Sequence, residues 1–221
     1  TKIRSIANVG LETVPVDVEV DVATAGFPGF TIVGLASKAV EEARERVKTA
    51  IVNSKLDFPP KKITVNLAPA DLPKDGAAYD LPMALGVLLA SQQLILPENF
   101  DLNKNFFYGE LSLDGTLRPT RGILLLGLFA QKFKGAIFVP EASANEASVV
   151  EGVKVYPVKN LTQLVEHLLG INLITPLKRR KLEEEIEMVW AEFDMNEIAG
   201  QEQAKRALII AAAGGHNLLM W

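Results

Sequence analysis

Between residues 13 and 23 the chain places valine at every second position, Val14, Val16, Val18, Val20 and Val22, with Asp17, Glu19 and Asp21 between them. A period of two fits a strand with one buried and one wet face, because a helix would spread those valines around its axis. The chain must therefore build a sheet, and the clean alternation predicts an antiparallel neighbour for this strand.

Further elements follow from similar patterns. Ala25-Gly26-Phe27-Pro28-Gly29 reads as a turn, and residues 30–33 as a second strand. Residues 37–54 switch to helical spacing, with Val40, Ala43, Val47, Ala50 and Ile51 on one stripe and Ser37 as the N-cap. Pro59-Pro60 breaks the chain, and residues 61–68 alternate with Ile63, Val65 and Leu67 inward. Asp80 is predicted to cap a helix running to about Gln92, with Pro82 in its first turn. Residues 106–113 read as a strand and Asp114-Gly115 as a hairpin turn. Then come a buried helix over 122–133, a strand over 136–139, a short helix over 143–149, a strand over 153–158 and a helix over 161–169 ended by Gly170. Interleaved strands and helices together with hairpins predict an α/β (α+β) fold, a mixed sheet packed with helices.

Composition narrows the chemistry. The 221 residues include no cysteine, which excludes disulfides, thiol nucleophiles and cysteine-ligated zinc. The net charge of −4 supplies no general basic field, so nucleic-acid binding would need a local patch or another part of a longer protein. The apolar runs are too short to cross a bilayer, so no membrane partner is expected. Thr1-Lys2-Ile3-Arg4 leads straight into strand-like residues without a leader pattern, and the expected location is cytoplasmic.

The most informative stretch is Pro73-Lys74-Asp75-Gly76 ahead of an apolar helix, followed about thirty residues later by Gly109-Glu110-Leu111-Ser112-Leu113-Asp114-Gly115-Thr116-Leu117-Arg118-Pro119. Together these resemble the proteolytic domain of the Lon family. In that family the nucleophilic serine falls where this chain has Ala78, and the activating lysine where it has Leu124. A Ser–Lys mechanism needs a hydroxyl and a desolvated amine within hydrogen-bond reach. Ala78 and Leu124 supply neither, so the resemblance implies a scaffold with no catalytic residues. Lys74 and Ser91 are the available amine and hydroxyl, but one sits on the loop and the other late in the helix. Lys74 and Asp75 are expected to fix the loop through turn hydrogen bonds and local charge pairing.

Composition shifts after Gly170. Residues 171–192 carry a basic run, Lys178-Arg179-Arg180-Lys181, and an acidic one, Glu183-Glu184-Glu185, and read as a linker. Residues 193–221 resemble the opening of an AAA+ ATPase module: Ile198-Ala199-Gly200-Gln201, an Ala-rich helix, then Gly214-Gly215-His216-Asn217 and an apolar strand. The resemblance places Ile198, Ala199, Gly200 and Gln201 on the adenine side of an ATP site. The chain contains no G-x-x-x-x-G-K-[ST] phosphate loop. It therefore reads as a piece ending just ahead of that loop, incapable of ATP hydrolysis by itself and with no cofactor bound.

The two halves together resemble the ComM/YifB family, also described as magnesium-chelatase-like. Gly29-Phe30-Thr31-Ile32-Val33-Gly34-Leu35, Arg44-Glu45-Arg46-Val47, the run from Ile63 to Lys74, and Asp80-Leu81-Pro82 carry that match. Trp221 departs from the aliphatic residue usual there. The resemblance implies three parts: a Lon-like pseudo-protease domain (1–170), a linker (171–192) and the start of an AAA+ module (193–221). It implies a longer parent that uses ATP and magnesium, forms a hexameric ring and acts on DNA as a branch-migration helicase in natural transformation. Three alternatives stay open: a metal-inserting chelatase-like ATPase, a protein-interaction adaptor and a residual Ser–Lys peptidase. Lys61, Lys62, Arg118 and Arg121 are the candidate DNA contacts, with exposed basic residues on an acidic protein as the plainer reading. Asp71 and Asp80 lack the spacing of a metal site, and none is expected. Arg44 and Arg46 are expected to pair with Glu41, Glu42 and Glu45. His167 is expected at the surface or in a cap.

Overall fold

The computed structural model describes residues 1–9, 12–34, 37–72, 74, 76–180 and 194–220. Leu35, Pro73, Asp75, Lys181, the acidic run at 183–185 and Trp221, all used in the motif readings above, lie outside the described residues, as does the first residue of the 193–221 segment. The chain divides into two compact units, Thr1–Lys181 and Leu182–Trp221.

Unit 1 is built on a seven-stranded sheet: β1 (Lys2–Val9), β2 (Glu12–Val22), β3 (Gly29–Val33), β4 (Lys62–Ala68), β5 (Asn105–Phe107), β8 (Ala136–Pro140) and β9 (Lys154–Val158), in the order β3-β4-β2-β1-β5-β8-β9. Strands β6 (Glu110–Leu111) and β7 (Leu117–Arg118) form a separate hairpin. Pairing is mostly parallel. Within the seven-stranded sheet only β1–β2 and β2–β4 run antiparallel, so the valine-rich strand has an antiparallel neighbour on each side. The helices of unit 1 are α1 (Lys38–Glu41), α2 (Ala43–Asn53), α3 (Asp80–Ala90), α4 (Ile123–Lys132), α5 (Glu141–Ala144) and α6 (Leu161–Leu168).

Burial patterns show why the sheet is covered unequally. In β2, Val16, Val18 and Val20 are buried against α3 while Glu19 and Asp21 stay exposed. On that outer face Asn66 donates to Glu19 at 2.8 Å and Lys2 pairs with Asp17 at 2.7 Å. In β8 all five residues are buried, the run expected of a strand covered on both faces. Neighbouring residues there enter different cores. Phe107 and Phe138 join the cluster containing α2, α3 and α6, whereas Phe106, Ile137 and Val139 join the one containing α4 and α5. Three parallel strands also place aromatic rings in register. Phe107 stacks on Phe138 with centroids 4.8 Å apart, and Phe138 on Tyr156 at 4.6 Å.

Several local expectations need correction. The first helix is interrupted at Glu42, and Ser37 occupies its N-cap without a side-chain cap hydrogen bond. The strand expected over 106–113 is split. Tyr108 and Gly109 leave the sheet so that β6 can turn into the hairpin. The helix expected over 143–149 is one α turn followed by a 3-10 turn, Asn145–Ala147. Residues 171–180 run along unit 1, where Ile174 is buried and Leu177 N–H donates to Val155 O at 2.8 Å. That bond lies on the outer edge of β9.

Unit 2 contains a 3-10 turn, Met195–Glu197, and helix α7, Glu202–Gly214. Asp194 and Glu197 form a reciprocal capping box around the turn. No residue of α7 is buried, and Ile209 and Ile210 are more than half exposed.

Candidate functional site

The motif residues converge at the N-terminal end of α3. The loop from β4 delivers Lys74, Gly76 and Ala78 to that end, and the hairpin strand β6 lies against it. Gly109 N–H donates to Ala78 O at 2.8 Å and Leu81 N–H to Gly109 O at 3.0 Å. These bonds tie the loop ahead of α3 to the Gly109–Leu111 segment through the backbone. Asp114 completes the hairpin turn by accepting from Thr116 N–H at 3.0 Å and Oγ1 at 2.7 Å, with Gly115 at φ +85°.

Asp80 is the most unusual group here. It is the first residue of α3, fully buried, and makes no cap for its own helix. Its carboxylate accepts from Arg46 Nε at 2.8 Å, from Arg46 Nη2 at 3.1 Å and from Leu111 N–H at 3.2 Å. The expected N-cap is therefore an inter-element ion pair instead, linking α2, α3 and β6. Arg46 also corrects its expected pairing with Glu41, Glu42 and Glu45, because the bidentate fork to Asp80 satisfies it better. Burial pushes the Asp80 carboxyl up to about 6, outweighing the opposing hydrogen bond from Arg46. That hydrogen bond in turn raises the guanidinium above its ordinary value.

Lys74 is fully buried. Its Nζ donates to Gly34 O at 3.1 Å and to Pro69 O, and its own carbonyl accepts from Ser37 N–H at 3.1 Å. One amine thus pins the ends of parallel strands β3 and β4, and burial lowers its pKa. Gly34 is required at that junction. Its φ is +103°, and a Cβ there would lie 2.3 Å from Leu67 O.

The positions aligned with a hydrolytic dyad carry no acid–base chemistry. Ala78 is buried in the cluster with Ile6, Tyr108 and Ile123, and Leu124 lies on the first turn of α4 with 40% of its surface exposed. Ser91 sits at the far end of α3, eleven residues after Asp80 or about 16 Å along the axis. Its Oγ donates to Leu88 O at 3.2 Å and accepts from Gln93. His167 is half-buried beside Phe138 and Tyr156, and its Nδ1 accepts from Ile174 N–H at 2.9 Å. Burial lowers its pKa, as that acceptor role requires.

The four candidate DNA contacts do not form one rim. Lys61 and Lys62 lie at the start of β4 beside β3, and Lys61 shares a groove with Arg44 and Lys48 of α2. Arg118 is on the hairpin, donating to Ser112 Oγ at 2.8 Å with Glu110 at 3.8 Å. Asn53 and Arg46, which face the hairpin side, are on the opposite flank of α2 from Arg44 and Lys48. Helix α2 therefore separates the Lys61 groove from the hairpin that carries Arg118. Arg121 is exposed just ahead of α4. In unit 2, Gly200 and Gln201 adopt left-handed conformations at φ +69° and +58°, turning the backbone from Ile198 and Ala199 into α7.

A family model described as subunit ChlI of Mg-chelatase matches residues 18–143, across the sheet, the Lys74 loop, the hairpin and α4. The chain belongs to the ComM/YifB, magnesium-chelatase-like family. A second model, magnesium chelatase subunit ChlI, matches residues 194–221. Competence protein ComM of Haemophilus influenzae is 42% identical over 219 residues, 98% of this chain and 42% of that protein. Protein YifB of Escherichia coli is 39% identical over 218 residues, 99% of this chain and 42% of its own length. An uncharacterized protein of Mycobacterium tuberculosis is 38% identical over 217 residues, again 42% of its own length. The chain thus spans less than half the length of the curated relatives it matches. No helix among the described residues is long and apolar enough to cross a membrane.

Three features of the site are not visible in the sequence motifs alone. The Arg46–Asp80 bond joins residues 34 apart and has no periodic signature. The burial of Lys74 is hidden by its charged, loop-like surroundings. The groove holding Lys61 needs β3 and α2 in place before its lining comes together.

Proposed function

We propose that residues 1–170 are a non-catalytic, Lon-like platform in a ComM-type AAA+ ATPase that acts on DNA, with 171–192 as the connector and 193–221 as the start of the motor module. The observation that carries the pseudo-enzyme reading is Ala78 and Leu124 at the dyad positions, one sealed in an apolar cluster and the other on the surface of α4. The scaffold around them is well tied through Gly109, Leu111 and Asp80, which suits a part retained for assembly or positioning rather than for bond cleavage. In the longer protein ATP and magnesium would be held by a phosphate loop outside this chain, with Ile198, Ala199, Gly200 and Gln201 on the adenine side. A hexameric ring would place several platforms around one DNA path. Lys61, Lys62, Arg118 and Arg121 are the basic residues available to it.

The name carried by both matching family models favours a second reading, an ATPase driving metal insertion into a porphyrin. The whole protein's ATPase rate, measured with four-way-junction DNA and with a porphyrin plus magnesium, separates the two. Several-fold stimulation by the junction supports the DNA motor. Stimulation by the porphyrin system alone would replace it with the chelatase reading.

A further inference from the structure

The two edges of the main sheet are treated differently. At β9 the following segment places one main-chain bond on the outer edge, Leu177 N–H to Val155 O. At β3 no described strand pairs with the outer edge. Gly29 N–H donates inward to Lys61 O at 3.3 Å, and successive residues alternate, so the N–H and C=O of Phe30 and Ile32 face away from β4. Phe30-Thr31-Ile32-Val33 is rich in strand-forming residues, and such an edge is a template for main-chain pairing.

Beside this edge lies a groove of about 570 Å³. Phe30 and Phe58 form its apolar floor, their rings 5.7 Å apart, and Pro28 and Pro60 flank them. Arg44 and Lys48, one turn apart on α2, join Lys61 at the rim against one carboxylate, Glu45. All three cations are exposed. We propose that the β3 edge binds an extended acidic peptide segment by strand addition, with one apolar side chain over Phe30 and Phe58 and flanking carboxylates on Arg44, Lys48 and Lys61. Main-chain bonds from Phe30 and Ile32 would give affinity, and the groove would select the side chains.

The charge distribution argues against other occupants. A second copy paired edge to edge would bring the same three cations against themselves. A nucleic-acid strand would satisfy the cations but has no alternating donors and acceptors to match the Phe30 and Ile32 backbone. Lys61 is shared with the DNA contacts proposed above, and the oligonucleotide arm of the test separates the two uses.

The test uses the full chain and a fluorescein-labelled eight-residue peptide alternating Glu and Val around a central Phe, titrated by anisotropy. Binding is expected to be saturable and to weaken at least fivefold in Lys48→Glu, an exposed change whose fold is checked by circular dichroism. Ile32→Pro removes an outward N–H but no bond to β4, and should weaken it at least tenfold. Amide chemical-shift changes in the wild-type chain should centre on Phe30 and Ile32, a readout that stands even where the proline variant unfolds. Equal binding by wild type and Lys48→Glu, or shifts elsewhere, would overturn the proposal. So would tighter binding of an eight-nucleotide oligo(dT) to the same groove, or concentration-dependent dimerisation through β3.

Discussion

Removing Arg46 should expose how much the Asp80 knot holds unit 1 together. Asp80 is fully buried, and its carboxyl is raised from 3.8 to about 6 even with Arg46 present. A shift of that size is worth about 3 kcal/mol, at roughly 1.4 kcal/mol per unit. The folded state holds the proton more tightly than the unfolded one. This group's contribution is therefore fully present below pH 3.8 and is lost as pH rises through about 6. Without the guanidinium the pKa climbs further, and a charge left buried and unpaired costs about 3–5 kcal/mol. Arg46→Met is therefore expected to lose about 3–5 kcal/mol at pH 8, where Asp80 is ionised in the wild type. At pH 5 Asp80 is largely protonated with or without Arg46, and the loss should shrink to the ~1 kcal/mol of an ordinary hydrogen bond. Adding Asp80→Asn, which keeps an acceptor for Leu111 N–H, should recover about 2 kcal/mol or more of the loss at pH 8. Urea unfolding followed by far-ultraviolet circular dichroism, at both pH values and for all four corners of the cycle, gives each quantity. A pH-independent Arg46→Met loss, or a coupling energy near zero, would refute the reasoning.

Three other outcomes follow from the same structure. Gly34→Ala places a Cβ against the Leu67 carbonyl in a left-handed conformation and should destabilise the chain by about 2–4 kcal/mol, read as a lower urea midpoint. Lys74→Met removes the charged donor shared by the Gly34 and Pro69 carbonyls at a part-buried junction and should cost about 1.5–3 kcal/mol, with amide exchange accelerated at Gly34 and Ser37 if the amine pins that junction. His167 should titrate below 6.5 by NMR, because Nδ1 must stay unprotonated to accept from Ile174. Its contribution is present above the unfolded pKa of about 6.5 and is lost as pH falls through the lowered folded value, and His167→Phe should remove that pH dependence.

The elements legible in the sequence are those whose signal is periodic and local. The valine alternation of β2, the inward Ile63, Val65 and Leu67 of β4, and the Asp114-Gly115 turn each carry their instruction within a few residues. The breaks were less visible. Tyr108-Gly109 looks like strand, yet leaves the sheet because β6 pairs with β7 instead. Asp80 has the residue type and position of a cap, but a bidentate arginine brought in by α2 offers a stronger partner than its own backbone. The candidate site divides along the same line. The proposed dyad positions rest on motif resemblance, whereas the separation of Lys61 from Arg118 depends on where α2 packs. The groove at β3 needs the sheet order itself, which places β3 rather than another strand at the edge.

The central claim is that this domain keeps the framework of a hydrolase without its chemistry. Its most direct test is release of fluorescent fragments from labelled, unfolded casein by the purified chain and by Ser91→Ala and Lys74→Met variants. The account predicts release no faster than in the protein-free control for all three. Cleavage by the wild-type chain that disappears in Ser91→Ala or Lys74→Met would contradict it.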